Sequence, residues 1–273
     1  AFGKDALELC TTGVNTAVGG NALASVTTGT GNTAVGQDAL TLNTGTQNTA
    51  VGALALDANT SANDNTAVGY QALSSTTTGI ENTAVGSLAA NDITTGTRNT
   101  AIGYNTLNGL QTGQNNTAVG YNALDALSSN TFSNTAVGSF AGSAITSGQN
   151  NIAIGVSSLA SCTSGGSNVA IGDEALNATT TASNNTSVGK AALASNTTGT
   201  GNTAVGKGSL PANTTGNNNV ALGKDAMQDS TTGSQNTALG QNALADNTTA
   251  DNNTAVGYKA LRLNTTGHSN VAV

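Results

Sequence analysis

The sequence predicts an all-β chain, a parallel β-solenoid of about 16 rungs with about 17 residues in each. Three observations lead there. A glycine-anchored repeat returns from the first residues to the last. Within each copy, small and apolar residues alternate with the two-residue period of a strand rather than the 3.6-residue period of a helix. The composition fits neither an ordinary globule nor a disordered chain. Of 273 residues only 8% are charged and 3% aromatic, with 35 Gly, one Pro and no Trp. Leu, Ile, Val and Phe number 49 of 273, below the usual content of a packed core, while a formal charge of −7 is low for a disordered chain of this length. An enzyme-like globule is therefore disfavoured before any motif is considered.

The repeat aligns on the Gly of Asn-Thr-Ala-Val-Gly, at 3, 19, 36, 52, 69, 86, 103, 120, 138, 155, 172, 189, 206, 223, 240 and 257. Twelve of the fifteen intervals are 17 residues, two are 16 and one is 18. The consensus is N-T-A-V-G-x-x-A-L-x-x-N-T-T-G-x-x, so residues 1–273 form one array without a linker or a change of composition.

Each segment of the repeat follows from its substitutions. Asn-Thr-Ala-Val is a short strand. Its Val position holds only apolar residues, its Thr position becomes Ile152, Val169, Val220 and Val271, and its Ala position stays small throughout, with Ser187 the one change. Thr and Val thus share one face, and the small Ala face implies close approach of another surface. The anchor Gly is needed for a positive-φ turn or for packing that a Cβ would obstruct. The two residues after it vary freely (Lys4-Asp5, Tyr70-Gln71, Asp173-Glu174) and mark a solvent-facing turn. Ala-Leu and the residues beyond read as a second short strand. Thr-Thr-Gly is the second turn, where residues 11–14, 43–47 and 125–133 absorb the length changes. The Asn that opens every copy, from Asn15 to Asn270, is expected to form a side-chain amide ladder between rungs. Stacked at ~4.8 Å, the array would extend roughly 75 Å.

One Val, one Leu and two Ala per rung bury little apolar surface against the cost of ordering 17 residues. That shortfall and the small-residue face point to partner chains, most simply a parallel homotrimer. The repeat is interrupted at both ends: Ala1-Phe2-Gly3 and Val271-Ala272-Val273 each begin or stop inside N-T-A-V-G. This predicts a piece of a longer fibre or end-to-end stacking of copies.

The rungs Asn151-Ile152-Ala153-Ile154-Gly155 and Asn168-Val169-Ala170-Ile171-Gly172 closely resemble the S-V-A-I-G head repeats of trimeric autotransporter adhesins. The N-T-A-V-G-x-x-A-L-x-x-N-T-T-G form is also similar to repeats of phage tail fibres and other surface fibres. The resemblance covers the whole chain. It implies a trimeric left-handed parallel β-roll with one rung per repeat and no catalytic residues, carried outside the cell or on a virion. The period here is longer than in the adhesin heads, and Thr usually stands where they have Val.

Function classes narrow accordingly. Seven Lys and Arg, scattered singly along a net acidic chain, provide no nucleic-acid footprint, and no apolar run approaches the ~18 residues of a membrane span. His268 is the only histidine and reads as a turn residue. Asp38, Asp173, Glu174 and Asp225 lie in variable turns without the spacing of a calcium-binding solenoid. Val-Gly-x-x-Ala-Leu fits a single hexapeptide of an acyltransferase helix, which needs about three per coil. No catalytic residue, cofactor or metal is therefore predicted. Cys10 and Cys162 share a repeat position with Val26, Ile93 and Ile145 and read as small buried thiols, with an interchain bridge as the alternative. The sequons at Asn196, Asn213 and Asn247 arise automatically from the repeat. Tyr70, Tyr104, Tyr121 and Tyr258 all follow an anchor Gly and are the candidate surface contacts for a host glycan or protein receptor. Adjacent Thr on a strand would point to opposite faces, which argues against a flat Thr array. The expected function is a structural and adhesive extracellular fibre segment. The alternative is a self-standing monomer that binds ice or polysaccharide through a Thr-rich face.

Overall fold

A computed structural model describes residues 1–128 and 130–273, divided into two compact units, Ala1–Asn134 and Thr135–Val273. Each unit is a parallel β-solenoid, and no helix occurs among the described residues. The first unit contains β1 (Thr16–Val18), β2 (Thr33–Val35), β3 (Thr49–Val51), β4 (Thr66–Val68), β5 (Thr83–Val85), β6 (Thr100–Ile102) and β7 (Thr117–Val119). The second contains β8 (Thr135–Val137), β9 (Ile152–Ile154), β10 (Val169–Ile171), β11 (Thr186–Val188), β12 (Thr203–Val205), β13 (Val220–Leu222), β14 (Thr237–Leu239), β15 (Thr254–Val256) and β16 (Val271–Ala272). Within each unit a strand pairs with the next in the chain, in parallel and in strict register. Ala34 faces Ala50, and Ile154 faces Ile171.

The strand faces divide differently from the expectation. The central Ala of each strand from β1 to β15 (Ser187 in β11) is buried at 0–1% exposure, inside the chain's own solenoid. It packs in a core that includes the Leu four residues after the anchor Gly, such as Leu40 and Leu124. The small side chain is explained by how little room a 17-residue coil encloses, so the Ala face is no evidence for a partner chain. The outer face belongs to Thr and Val, half-buried or exposed along the strands.

Among the described residues the second strand is absent. From the anchor Gly to the second turn the backbone alternates between ordinary and left-handed conformations: Gln71 has φ 54° and Leu73 φ 52°, in the sequence order Gly69-Tyr70-Gln71-Ala72-Leu73. The rung-to-rung ladder persists without strand geometry, since Leu73 N donates to Ala89 O at 3.0 Å and Ser75 N to Asn91 O at 3.1 Å. A third left-handed residue precedes each ladder Asn in most rungs, as at Glu81 and Asn184. None of the non-glycine residues with positive φ is Val, Ile or Thr, although these types abound elsewhere in the chain. A β-branched side chain is the least compatible with that region. The column therefore accepts Leu, Met227, Ala90 or Gly142 but no β-branched residue.

The predicted amide ladder is present, and it is buried from Asn32 to Asn253. Asn65 Oδ1 accepts both the backbone N–H of Asn82 at 2.9 Å and its Nδ2 at 3.2 Å, and Asn82 Nδ2 also donates to Gly96 O at 2.8 Å. Asn219 repeats the arrangement on Asn202 and Gly233. The strand, the second turn and the next rung are thus tied by one side chain. The anchor Gly meets both demands placed on it: Gly138 has φ +138°, and an added Cβ would lie 2.5 Å from Gly155 O.

A second buried column, seven residues after the anchor, is mixed. Asn213 Nδ2 donates to Asn196 Oδ1 at 2.8 Å, and Asn264 Nδ2 to Asn247 Oδ1 at 3.2 Å. Between these pairs stands Ser230, too short to reach, so that Asn213 Oδ1 and Ser230 Oγ are both buried without a partner.

Two outcomes are expected in thermal or denaturant unfolding. Leu193, buried with φ 51°, should tolerate Met with a loss below about 1.5 kcal/mol, whereas Leu193→Val should cost about 2–3 kcal/mol through the lost methylene and the strained backbone. Ser230→Asn should raise stability by about 1 kcal/mol by supplying the missing donor to Asn213.

Candidate functional site

Strict register turns every repeat position into a column, and the positions after the anchor Gly form a variable edge. Tyr70, Tyr104, Tyr121 and Tyr258 all lie exposed on it. Tyr104 and Tyr121, one rung apart, stack with centroids 5.6 Å apart and planes inclined by 12°. Two rings at this separation form an offset stacked pair. Tyr258 instead carries the Lys259 ammonium 4.9 Å from its ring centroid. Tyr70 shares the first unit with the stacked pair, two rungs before Tyr104, with Ser87 between.

The edge beside the pair is polar. Asn108 Nδ2 donates to Asn105 Oδ1 at 2.7 Å, while Asn108 Oδ1 and Asn122 Oδ1 are buried atoms without a donor. Asp57 and Asp125 occupy the same repeat position as Asn108, and burial pushes both carboxyls above their ordinary range. Nothing in the sequence signalled these oxygens, because their lack of partners depends on side-chain direction.

Register also corrects the reading of the basic residues. Lys190, Lys207 and Lys224 look isolated in sequence but fall on consecutive rungs of one column. Lys190 pairs with Asp173 at 2.8 Å and Lys224 with Asp225 at 3.6 Å, so two of the three ammonium groups have a carboxylate partner. Asp38 accepts from Asn21 Nδ2 at 2.8 Å, and Glu174 is exposed. Exposed His268 accepts the Asp251 N–H on Nδ1 at 2.9 Å. No group of three His, Cys, Asp or Glu suited to a metal occurs among the described residues, and no helix there is long and apolar enough to cross a membrane.

The Thr-Thr segment is a bend rather than a strand, so the alternation expected of a strand does not apply to it. Thr197, Thr214 and Thr231 each donate a hydroxyl to the carbonyl of the threonine one rung later, at 2.9–3.1 Å. Their neighbours Thr198, Thr215 and Thr232 are exposed. The sequon residues Asn196, Asn213 and Asn247 are buried in the core. Both cysteines are free thiols, Cys10 half-exposed and Cys162 buried.

These features define a parallel β-solenoid repeat protein that displays its side chains in columns on an uncharged strand face and a variable edge. No family model matches the chain, and no curated protein matches it.

Burial pushes the Cys162 thiol up to about 11 from an ordinary 9.0, against a weaker opposing influence of the Gly165 backbone. The folded state therefore holds this proton more tightly than the unfolded state does. The corresponding stability should be complete below pH 9 and decline as pH rises from about 9 to about 11. Cys162→Ala should flatten that decline in melts recorded across the range. Alkylating reagents at neutral pH should label native Cys10 and spare Cys162.

Proposed function

We propose that this chain is a non-enzymatic, extracellular fibre segment that assembles as a parallel homotrimer and displays its variable edges for attachment. The observation that carries the reading is the outer strand face. Along each unit it is a continuous surface of Thr, Val, Ile and Leu without a charged residue. In β9 and β10 both outward columns are apolar, and Ile152, Ile154 and Ile171 are each 37–38% exposed. An ordered apolar strip of this kind marks a protein interface. These two rungs are also the ones that most resemble the adhesin head repeats. The face to be covered is thus the Thr–Val face, while the Ala face is closed within the chain. The role is mechanical: a spacer whose length is counted in rungs.

A second reading, a monomer that binds ice or polysaccharide, is favoured by the first unit. There every strand reads Thr-Ala-Val or, in β6, Thr-Ala-Ile, a regular outward array of hydroxyl and methyl groups.

Light scattering at micromolar concentration separates the two. The expected mass is three times the 26.4 kDa of one chain. Ile154→Lys with Ile171→Lys should lower it to one chain with unchanged circular dichroism. A monomeric wild type would overturn the assembly and favour the second reading.

A further inference from the structure

The first unit's aromatic edge has a notch. Tyr70, Ser87, Tyr104 and Tyr121 occupy one column on consecutive rungs, a register set by hydrogen bonds from Leu88 N to Tyr70 O (2.9 Å), Asn105 N to Ser87 O (3.2 Å) and Asn122 N to Tyr104 O (3.1 Å). Because Tyr104 and Tyr121 are stacked one rung apart, their ring faces look along the column, and Tyr121 covers one face of Tyr104. The other face looks toward Ser87, whose side chain is too small to cover it. Beyond Ser87 stands Tyr70, itself exposed. Two rungs separate Tyr70 from Tyr104, about 9.6 Å at ~4.8 Å per rung. A ring held between two aromatic side chains needs about 7–8 Å for its two contacts. A flat aromatic guest would leave a gap in this space, whereas a puckered sugar ring, thickened by its axial hydrogens, fills it.

The polar groups alongside suit the same guest. Asn108, one rung from Ser87, is a half-exposed side chain whose Oδ1 has no donor. A turn of this amide toward the edge would let it accept from a ligand hydroxyl, so binding would add a hydrogen bond without breaking one on that oxygen. The charge around the notch selects further. Asp57 and Asp125 lie on this edge, and Arg98, the only basic residue between Tyr70 and Asp125, is engaged elsewhere with Gln114 Oε1 at 3.2 Å. An acidic sugar would find no cation to pair with, and Asp57 and Asp125 stand two rungs from Ser87 on either side.

We propose that Tyr70, Ser87, Tyr104 and Tyr121 form a carbohydrate-binding column that seats one residue of a neutral hexopyranosyl glycan over Ser87, with Asn105 and Asn108 on the Tyr104 rung bonding its hydroxyls. The proposal deepens the adhesive part of the proposed function and does not depend on the trimer. Tyr258, paired with Lys259 in the other unit, is outside the column and serves as an internal control.

With four tyrosines and no tryptophan, selective ¹³C labelling of Tyr rings in the full chain resolves the site directly. Titration with maltohexaose, cellohexaose and lacto-N-tetraose at millimolar concentration should shift the Tyr70 and Tyr104 signals and leave Tyr258 unmoved. Sialyllactose should bind more weakly. Tyr104→Ser should abolish the response with unchanged circular dichroism. Ser87→Leu, which fills the notch and retains both rings, should weaken binding at least tenfold. No shift with any neutral probe, an equal shift at Tyr258, or a preference for sialyllactose would overturn the proposal. Light scattering on the same samples keeps the two readings apart: a trimer without a glycan response overturns this inference alone, whereas a glycan-binding monomer supports it and overturns the assembly.

Discussion

The structure depends on a side-chain amide that can be satisfied only by its own counterpart one rung away. From Asn32 to Asn253 the ladder Asn are buried, and in most rungs the oxygen receives two donors from the next Asn while the nitrogen holds the carbonyl of the second turn. A slip of one residue would leave these amides buried and unpaired, at a cost of a few kcal/mol per rung. Register is therefore strict, and like stacks on like: Gly on Gly, Leu on Leu, Asn on Asn. It also explains why the 16- and 18-residue intervals place their length change in the second turn, where an extra residue does not reach the ladder.

Strict stacking has a price in backbone strain. Leucine after leucine is held in the left-handed region, a conformation that costs an L-residue about 1–2 kcal/mol. Full burial of the column's Leu side chains between Leu23 and Leu244 returns a similar amount, and the alternating backbone lets the coil turn tightly while its N–H groups still reach the neighbouring rung. The small Ala of each strand belongs to the same economy of space. In a coil this narrow, the side chains that meet inside must be small on one wall if Leu is to fit from the other.

The same constraint shapes the surface. One residue type repeated at a position becomes a continuous column, and a few substitutions become a local patch. Lys190, Lys207 and Lys224 gather into a column with Asp173 and Asp225 beside them, and Tyr104 meets Tyr121. The strand face stays uniform because its residues must keep strand geometry, and the edge varies because its side chains leave the core. We read this division as an assembly face and a display edge on one coil.

Much of this was legible from residues alone. Sixteen copies of one repeat carried the parallel solenoid, the amide ladder, the anchor Gly and the exposed position of the tyrosines, because each depends on which residue recurs at which spacing. One further signal was present: the Leu column, though buried and apolar, holds no Val or Ile, which is the mark of positive φ. Its apolar content by itself reads equally as a second strand, and only the missing β-branched residues distinguish the two. Other features needed the tertiary structure. Alternation assigns Thr and Val to one face and Ala to the other, but two faces of a strand are equivalent until the coil closes around one of them. Closure put Ala inside and left Thr and Val outside. The unpartnered oxygens of Asn108 and Asn122, the opening over Ser87 and the orphaned pair at Asn213 and Ser230 likewise depend on where side chains point and how far they reach. Repetition specifies which residues are neighbours; only the closed coil decides which of them touch and which face water.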